Sequence, residues 1–217
     1  MYLPAHFRED RLDVLHEFIE HHPLGALVAA TNEGLTADHL PMLLARTEGT
    51  KGTLHGHLAR ANPLWKSLAA GSEVLVIFGG TNAYVSPSWY AEKVLTGKVV
   101  PTWNYAVTHV RGRIEFHDDA TRLHALVSSL TSHHEQQQPS PWSVDDAPAP
   151  YVQAQLRAIV GFDIEIRDIV GKFKASQNKS DADRAGIRDA LESLRVEGLT
   201  ELVRSPTGGP PASGAKR

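Results

Sequence analysis

Residues 24–45 combine two extended runs with a tight turn, and this pattern restricts the fold more than any other in the chain. The apolar run Leu24–Thr31 is followed by Asn32-Glu33-Gly34 and then by a second run over 35–45. A short Asn- and Gly-containing turn between two such runs predicts a β-hairpin. Further strands are predicted at 53–58, 73–78, 83–85, 102–116, 159–166 and 169–174. Because most of them follow one another as hairpins, we expect an α+β fold that is mainly β, an antiparallel β-barrel with peripheral helices.

Helices are predicted around this barrel wherever apolar residues recur at helical spacing. The expected ranges are 11–21, 63–70, 151–158, 181–194 and a helix that ends near residue 132. Asp10 is the expected N-cap of the first helix, and Asp118 or Asp119 caps the helix that ends near residue 132. We expect one domain over residues 1–204 with a C-terminal helix, and a disordered Pro-, Gly- and Ser-rich tail over 205–217.

Several residues predict local interruptions of these elements. Gly79-Gly80 is expected to break a strand, Arg167-Asp168 to separate two strands, and Gly112 to mark a bulge or a close approach. Residues 136–150 are polar and proline-rich, which predicts a long surface loop with Trp142 as its anchor.

Composition excludes some function classes for this chain of 217 residues and net charge −3. The absence of cysteine excludes structural disulfides, thiolate metal sites and a cysteine nucleophile. No apolar run is long enough for a membrane span, and the polar first ten residues lack a signal-peptide core, so the cytoplasm is the expected location. The mild acidity argues against a general coat of nucleic acid but leaves a local basic patch open. Neither a phosphate-binding glycine motif nor a hydrolase motif is present.

The segment Val99-Val100-Pro101-Thr102-Trp103-Asn104-Tyr105-Ala106-Val107 reads as a strand with unusual residues in it. Pro101 cannot donate to a β-ladder, and the amide of Asn104 needs partners if it is buried. As a strand it places Trp103 and Tyr105 on one face and Thr102 and Asn104 on the other. Either the segment forms the wall of a site for a flat, polar-edged ligand, or it is an amphipathic edge strand.

Four further polar clusters interrupt the predicted strands. They are Asp38-His39-Leu40-Pro41, the run from His55 to Pro63, Ser86-Pro87-Ser88-Trp89-Tyr90, and the run from Lys172 to Lys179. His55 and His57 share a strand face, but no third ligand has a metal-site spacing, so no metal is expected. Arg60 before the helix at Pro63 suits an anion, or else it is a surface arginine beside an Asn that caps the helix. Together the clusters offer cations, hydroxyls, amides and aromatic faces, the inventory that flavin mononucleotide (FMN) requires.

These motifs resemble the PaiB-type family, FMN-binding negative transcriptional regulators similar to the pyridoxamine-phosphate-oxidase-like split barrels. The resemblance rests on His39-Leu40-Pro41, Gly56-His57-Leu58-Ala59-Arg60-Ala61-Asn62-Pro63, Tyr84-Val85-Ser86-Pro87-Ser88-Trp89-Tyr90, Val100-Pro101-Thr102-Trp103-Asn104-Tyr105 and Lys174-Ala175-Ser176-Gln177-Asn178. It runs from residue 1 to about residue 194 and implies an FMN-binding split barrel, a homodimer, and an FMN site where two barrels meet. The residues implied for cofactor binding are His39, His57, Arg60, Asn62, Ser86, Ser88, Trp89, Thr102, Trp103, Asn104, Tyr105, Lys174 and Gln177. Asp38 and Ala175 depart from the usual pattern, and Asp38 would repel a nearby phosphate.

Three functions are compatible with this sequence. The first is a dimeric FMN-binding negative regulator that acts on DNA or on a transcription-related protein. The second is a flavin-dependent oxidoreductase of the same fold acting on a small substrate, and the third is a dimeric binding module whose flavin site has degenerated. No catalytic nucleophile is expected, because any chemistry would belong to the flavin. Arg60 and His57 are the expected phosphate ligands, and Trp103 and Asn104 are expected to border the ring.

Overall fold

The computed structural model of the protein describes residues 1–196 and 198–204, so the tail predicted at 205–217 lies outside the described residues. The strands are β1 (Arg8–Glu9), β2 (Leu24–Thr31), β3 (Gly34–Ala45), β4 (Thr53–Ala59), β5 (Ser72–Val85), β6 (Thr102–His117) and β7 (Ile159–Lys174). The helices are α1 (Leu12–His21), α2 (Leu64–Ser67), α3 (Glu92–Leu95), α4 (Ala120–Glu135), α5 (Ala149–Arg157), α6 (Asp181–Ser193) and α7 (Leu199–Arg204). Short 3₁₀ helices occur at Ala5–Phe7, Pro87–Trp89 and Val144–Asp146.

The seven strands form one sheet in the order β1-β7-β4-β3-β2-β5-β6, and β6 also pairs with β7, so the hydrogen-bonded order returns on itself. The predicted hairpin is β2–β3, antiparallel with Val28 opposite Ala37. β4 is antiparallel to β3 and to β7. These pairings confirm the expected antiparallel split β-barrel with peripheral helices.

The chain divides into two compact units. The first unit comprises Met1–His22, Phe78–His109 and the described residues from Ile169 onward, and the second comprises Pro23–Ile77 and Val110–Asp168. Each unit has its own buried apolar side chains. Those of the first unit include Leu15, Phe18, Ile19, Phe78, Val85, Ile187 and Leu191, and those of the second include Leu27, Met42, Leu54, Leu58, Ile114, Phe162 and Ile164. The expectation of a single domain over 1–204 stays a prediction.

Two predicted interruptions of strands are wrong. β5 continues through Gly79-Gly80, and β7 continues through Arg167-Asp168. A Cβ at Gly80 would lie 3.0 Å from the ring of Phe18, which shows that this glycine makes room for a core side chain rather than ending the strand. Gly112 does mark a close approach, because a Cβ there would overlap the carbonyl oxygen of Glu165.

Two other local expectations are wrong and one is confirmed. The N-cap of α1 is Arg11 rather than Asp10, and the carboxylate of Asp10 accepts instead from Arg8 Nε at 2.5 Å. Trp142 does not anchor its loop by burial, because 48% of its surface is exposed. Asp119 caps α4 as predicted, and its Oδ1 accepts from the backbone N–H of Arg122 at 2.8 Å. No helix in the described part of the chain is long and apolar enough to cross a membrane.

Candidate functional site

The start of β6 has the two faces that its sequence predicts. Trp103 is 53% exposed, whereas Asn104 on the opposite face is completely buried. The indole of Trp103 meets the exposed ring of Tyr84 edge to face, with the ring centroids 6.1 Å apart. β6 therefore presents an aromatic surface to the outside of the first unit and fixes an amide inside it.

Lys174, at the end of β7, lies against the same stretch of β6. Its ammonium donates to the hydroxyl of Thr102 and to the backbone carbonyl of Trp103, the latter at 2.5 Å. It also lies 5.8 Å from the centroid of the Phe7 ring. The side chain is thus held against the start of β6 by two oxygen acceptors and an aromatic ring.

Two further lysines belong to the same cationic group, which we call the lysine cluster (Lys172, Lys174 and Lys179). The ammonium of Lys172 lies 5.5 Å from the Tyr105 ring centroid and donates to the carbonyl of Tyr2 at 3.1 Å. That of Lys179 lies 4.9 Å from the centroid of the Tyr90 ring. Cation–π contacts of this kind attract an ammonium without neutralising its charge.

In the part of the chain that the structure describes, the positive charge of the lysine cluster has no acidic counterpart. Within residues 1–196 and 198–204, none of the three ammonium groups forms an ion pair with a carboxylate. Burial, followed by repulsion from Lys172 and Lys179, lowers the pKa of Lys174. An anion placed here would relieve that repulsion.

Behind this surface, Asn104 and Ser176 form a buried polar pair. The hydroxyl of Ser176 donates to Asn104 Oδ1 at 3.1 Å, and both residues are almost fully buried. The amide nitrogen of Asn104 is buried with no hydrogen-bond partner in the described chain. Gln177 stabilises the turn after β7, because its Oε1 accepts from Ala175 N at 2.7 Å and its amide nitrogen donates to the carbonyl of Phe173.

The Ser-Pro-Ser-Trp-Tyr motif forms a compact turn in the first unit. The hydroxyls of Ser86 and Ser88 are 2.7 Å apart, and Ser86 Oγ accepts from the backbone N–H of Ser88 at 3.2 Å. The backbone of Trp89 lies so close to α6 that a Cβ at Gly186 would overlap its carbonyl oxygen. This motif therefore places two hydroxyls on a backbone fixed by packing against a helix.

The remaining predicted residues lie in the second unit, where Arg60 makes mainly structural contacts. Its guanidinium donates to the carbonyls of Arg157 at 2.8 Å and Ile159 at 3.0 Å, and it pairs with Asp118 at 3.3 Å. These bonds join the end of β4 to the connection between α5 and β7. This geometry supports the alternative in which Arg60 is a surface arginine with a structural role.

Asn62, His57 and His39 complete the set in the second unit. Asn62 Oδ1 accepts from the backbone N–H of Leu64, the first residue of α2, at 2.9 Å, although the N-cap position of this helix is Pro63 rather than Asn62. Burial lowers the pKa of His57, whose Nδ1 has no partner in the described chain. His39 is exposed on β3.

Sequence reasoning missed a charged cluster in the second unit, where Asp163 lies among histidines and an arginine. Asp163 accepts from His55 and pairs with Arg122, and His117 Nε2 lies 3.8 Å from its Oδ1. The only signal in the sequence was an acidic residue inside the apolar strand run of β7. Within the described residues, no group of three or more acidic, histidine or cysteine side chains has a metal-site arrangement.

Comparison with known proteins agrees with this geometry. The strand order and the polar and aromatic groups of the first unit define a split-barrel protein of the flavin-binding type. A family described as "Putative FMN-binding domain" matches residues 1–168, and the chain belongs to that family. This membership confirms the resemblance to the PaiB-type proteins and names FMN as the family's cofactor.

Two relatives cover nearly the whole chain. An uncharacterized protein of Emericella nidulans is 35% identical over 242 residues, covering 94% of this chain and 96% of the relative. Protease synthase and sporulation protein PAI 2 of Bacillus subtilis is 29% identical, again covering 94% of this chain and 96% of the relative. Among solved structures, the flavocytochrome Anf3 of Azotobacter vinelandii superposes with a TM-score of 0.57 at 12% identity, over 82% of this chain and 75% of its own, which supports the fold.

The first unit fits the chemistry of FMN. A phosphate needs cations and hydroxyls, which the lysine cluster, Thr102, Ser86 and Ser88 supply. A flat ring needs an aromatic face, which the exposed indole of Trp103 supplies. Asn104 fits less directly, because its side chain is buried and its carbonyl oxygen already accepts from Ser176.

Proposed function

We propose that this protein binds FMN through its first unit and acts as a dimeric, flavin-dependent negative regulator of transcription. The observation that carries the flavin part is the lysine cluster, which has no carboxylate partner among the described residues and whose Lys174 is bonded to the backbone of Trp103, a residue with an exposed indole. The regulatory part is supported by the relative PAI 2, whose name links it to protease synthesis and sporulation.

When bound, FMN would supply a ring that exchanges electrons or a hydride. The protein's own groups would bind and orient it. Trp103 offers its exposed face for stacking, and Lys174 is held in one orientation by Thr102 and the Trp103 carbonyl. The bond from Ser176 to Asn104 fixes the buried side of the same strand end. A redox-dependent change in the charge of the ring would then act on this cationic surface.

Flavin binding is tested by titrating the purified, flavin-free protein with FMN and following the quenching of flavin fluorescence. We expect saturable binding with one FMN per chain and a shifted visible spectrum. Absence of binding up to millimolar FMN would contradict the proposal and favour the binding module with a degenerate site.

The regulatory role requires a separate experiment in the organism that carries the protein. We expect deletion of the gene to raise a defined set of transcripts, and the wild-type gene to restore repression. If the transcripts are unchanged while NADH or NADPH reduces the bound flavin in a stopped-flow experiment and turnover follows, the protein is the oxidoreductase instead.

The homodimer is supported by exposed apolar side chains in the first unit. Val94 is 90% exposed, Leu95 is 77% exposed and Val100 is 68% exposed, and contiguous apolar surface of this kind marks interaction sites. We expect light scattering to give twice the chain mass of 23.7 kDa. A mass of one chain at micromolar concentration would contradict the dimer. Val94→Asp combined with Leu95→Asp should shift the mass toward one chain if this surface is the interface.

A further inference from the structure

We infer that the lysine cluster of the first unit is a phosphate-monoester site and that it, rather than Arg60, holds the phosphate of the flavin. This inference rests on the proposed flavin binding and assigns the ligand's anionic group to named side chains.

The first argument is the number of donors left over in the lysine cluster. Each ammonium carries three N–H donors. Lys174 directs two of them to Thr102 and Trp103, and Lys172 directs one to Tyr2. Lys179 contacts the ring of Tyr90, and its ammonium donates no hydrogen bond to another group of the described residues. Several charged donors therefore remain for a ligand with three oxygen acceptors.

The second argument is electrostatic. Lys172 and Lys174 lie two residues apart on β7, and Lys172 and Lys179 both repel the ammonium of Lys174, with no carboxylate among the described residues to pair with it. A phosphate monoester carries about −1.5 to −2 charges at pH 7 and neutralises most of that repulsion. A neutral ligand would leave the repulsion in place.

The third argument is position. Lys174 donates to the backbone carbonyl of Trp103, the residue of β6 whose indole is 53% exposed, and Lys172 lies 5.5 Å from the ring centroid of Tyr105 on the same strand. A ligand with a flat ring and a phosphate could engage both within the first unit. The hydroxyl of Thr102, which already accepts from Lys174, keeps its own proton to donate to a phosphate oxygen.

Arg60 is a poorer alternative because all three of its guanidinium nitrogens already bond other groups and one of them faces a carboxylate. Two of its nitrogens donate to backbone carbonyls, and the third faces the carboxylate of Asp118, which would repel a phosphate. Burial lowers the pKa of His57, so that ring is neutral at pH 7 and adds no positive charge. Arg60 therefore has a structural role, in which it fixes the connection between α5 and β7.

The experiment compares FMN with riboflavin, which lacks the phosphate, in matched lysine variants. Lys174→Met and Lys179→Met should each weaken FMN at least tenfold and change riboflavin less than twofold, because charge-assisted bonds to the phosphate are lost. Lys66→Met is the control, since Lys66 lies 5.0 Å from the ring centroid of Trp65 in the second unit and should change neither ligand. Arg60→Lys should also leave the ratio of the two affinities unchanged. Equal losses of FMN and riboflavin in the cluster variants, or a selective loss of FMN in Arg60→Lys, would overturn the inference.

A second measurement separates this inference from the proposed function. Inorganic phosphate is titrated into protein labelled with ¹³C at the lysine ε-carbon, and the lysine signals are followed by NMR. We expect phosphate to shift the signals of Lys172, Lys174 and Lys179 and to raise the pKa of Lys174, with no change at Lys66. If these shifts occur but neither flavin binds, the phosphate site stands and the flavin proposal fails. If flavins bind and phosphate moves none of the cluster signals, the site assignment fails.

Discussion

His55 and Asp163 face each other directly across β4 and β7, and His55 Nδ1 lies 2.6 Å from Asp163 Oδ1. The other ring nitrogen of His55 lies 3.0 Å from Glu48 Oε2, so the imidazole sits between two carboxylates. The hydrogen bond that His55 donates to Asp163 raises the pKa of His55 against the opposing effect of burial. For Asp163, burial raises the pKa, but the bond from His55 and the charges of His55, Arg122 and His117 together lower it.

The first prediction concerns the pH dependence of stability. Because the pKa of His55 is raised in the folded state, its contribution is complete below its ordinary pKa of 6.5 and is lost as pH rises through the folded pKa. The lowered pKa of Asp163 means that its contribution is present above 3.8 and is lost as pH falls through the folded pKa. We expect His55→Gln to lower the free energy of unfolding by about 1.5–3 kcal/mol at pH 6 and by less at pH 9.

The measurement is urea denaturation of the wild type and His55→Gln at intervals between pH 4 and pH 9. His117 faces the same carboxylate, but burial lowers its pKa, so its contribution to stability is lost as pH falls rather than as pH rises, and His117→Gln is the comparison variant. Parallel stability curves for the wild type and His55→Gln would show that the bond between His55 and Asp163 carries no pH dependence.

The second prediction concerns the close approach at Gly112. Gly112→Ala places a methyl group against the backbone carbonyl of Glu165, which cannot move without disturbing β7. We expect a loss of about 1–3 kcal/mol in the free energy of unfolding. Gly79→Ala is the control, because no atom lies within 4 Å of a Cβ at that position. Equal stabilities of the two variants would contradict the close packing of β6 on β7.

The third prediction concerns Asn104. Asn104→Ala removes the acceptor of the Ser176 hydroxyl in a fully buried position, which should cost about 1–3 kcal/mol of stability. Asn82→Ala, at an exposed position of the same unit, should be nearly neutral. If Asn104 also borders the flavin ring, as its sequence context predicts, the absorbance of bound FMN shifts in this variant. An unchanged spectrum with lowered stability would show that Asn104 is structural.

The fourth prediction concerns the exposed indole of Trp103. Trp103→Ala should change the unfolding free energy by less than about 0.5 kcal/mol, because the side chain is half exposed. It should weaken FMN and riboflavin equally, by about 1–3 kcal/mol, if the indole stacks on the ring. Trp142→Ala, with 48% exposure in the second unit, is the matched control for flavin binding. Flavin affinities that match the wild type in Trp103→Ala would exclude stacking at this residue.

Much of the fold follows from local sequence patterns. The β2–β3 hairpin is predictable because its turn residues and flanking runs lie within one short segment, and the cap of α4 is predictable from Asp119 for the same reason. The continuity of β5 through Gly79-Gly80 is not predictable, because it depends on Phe18, which comes from a distant part of the sequence.

The candidate site shows the same limit. The alternation of Trp103 and Asn104 is a property of one strand, so the sequence predicts it. The bonds of Arg60 to the carbonyls of Arg157 and Ile159 join residues nearly a hundred positions apart, so the sequence around Arg60 does not predict them. From sequence alone, a basic residue in a polar motif predicts anion binding. Only the fold shows that each guanidinium nitrogen of Arg60 already bonds another group of the chain.

Ser176 is subject to two independent requirements that restrict which amino acids an evolving chain can place there. Its φ of 62° lies in the left-handed region, which disfavours β-branched residues such as threonine and favours glycine or asparagine. Its hydroxyl is the donor to Asn104, which glycine cannot replace. These two requirements limit the substitutions that position 176 tolerates. Glycine fits the backbone conformation but leaves Asn104 Oδ1 without its donor, and threonine keeps the hydroxyl donor but strains the turn. A replacement that keeps Asn104 must therefore both tolerate the left-handed φ and donate to Asn104, as asparagine could, whereas glycine is expected only where Asn104 has changed as well.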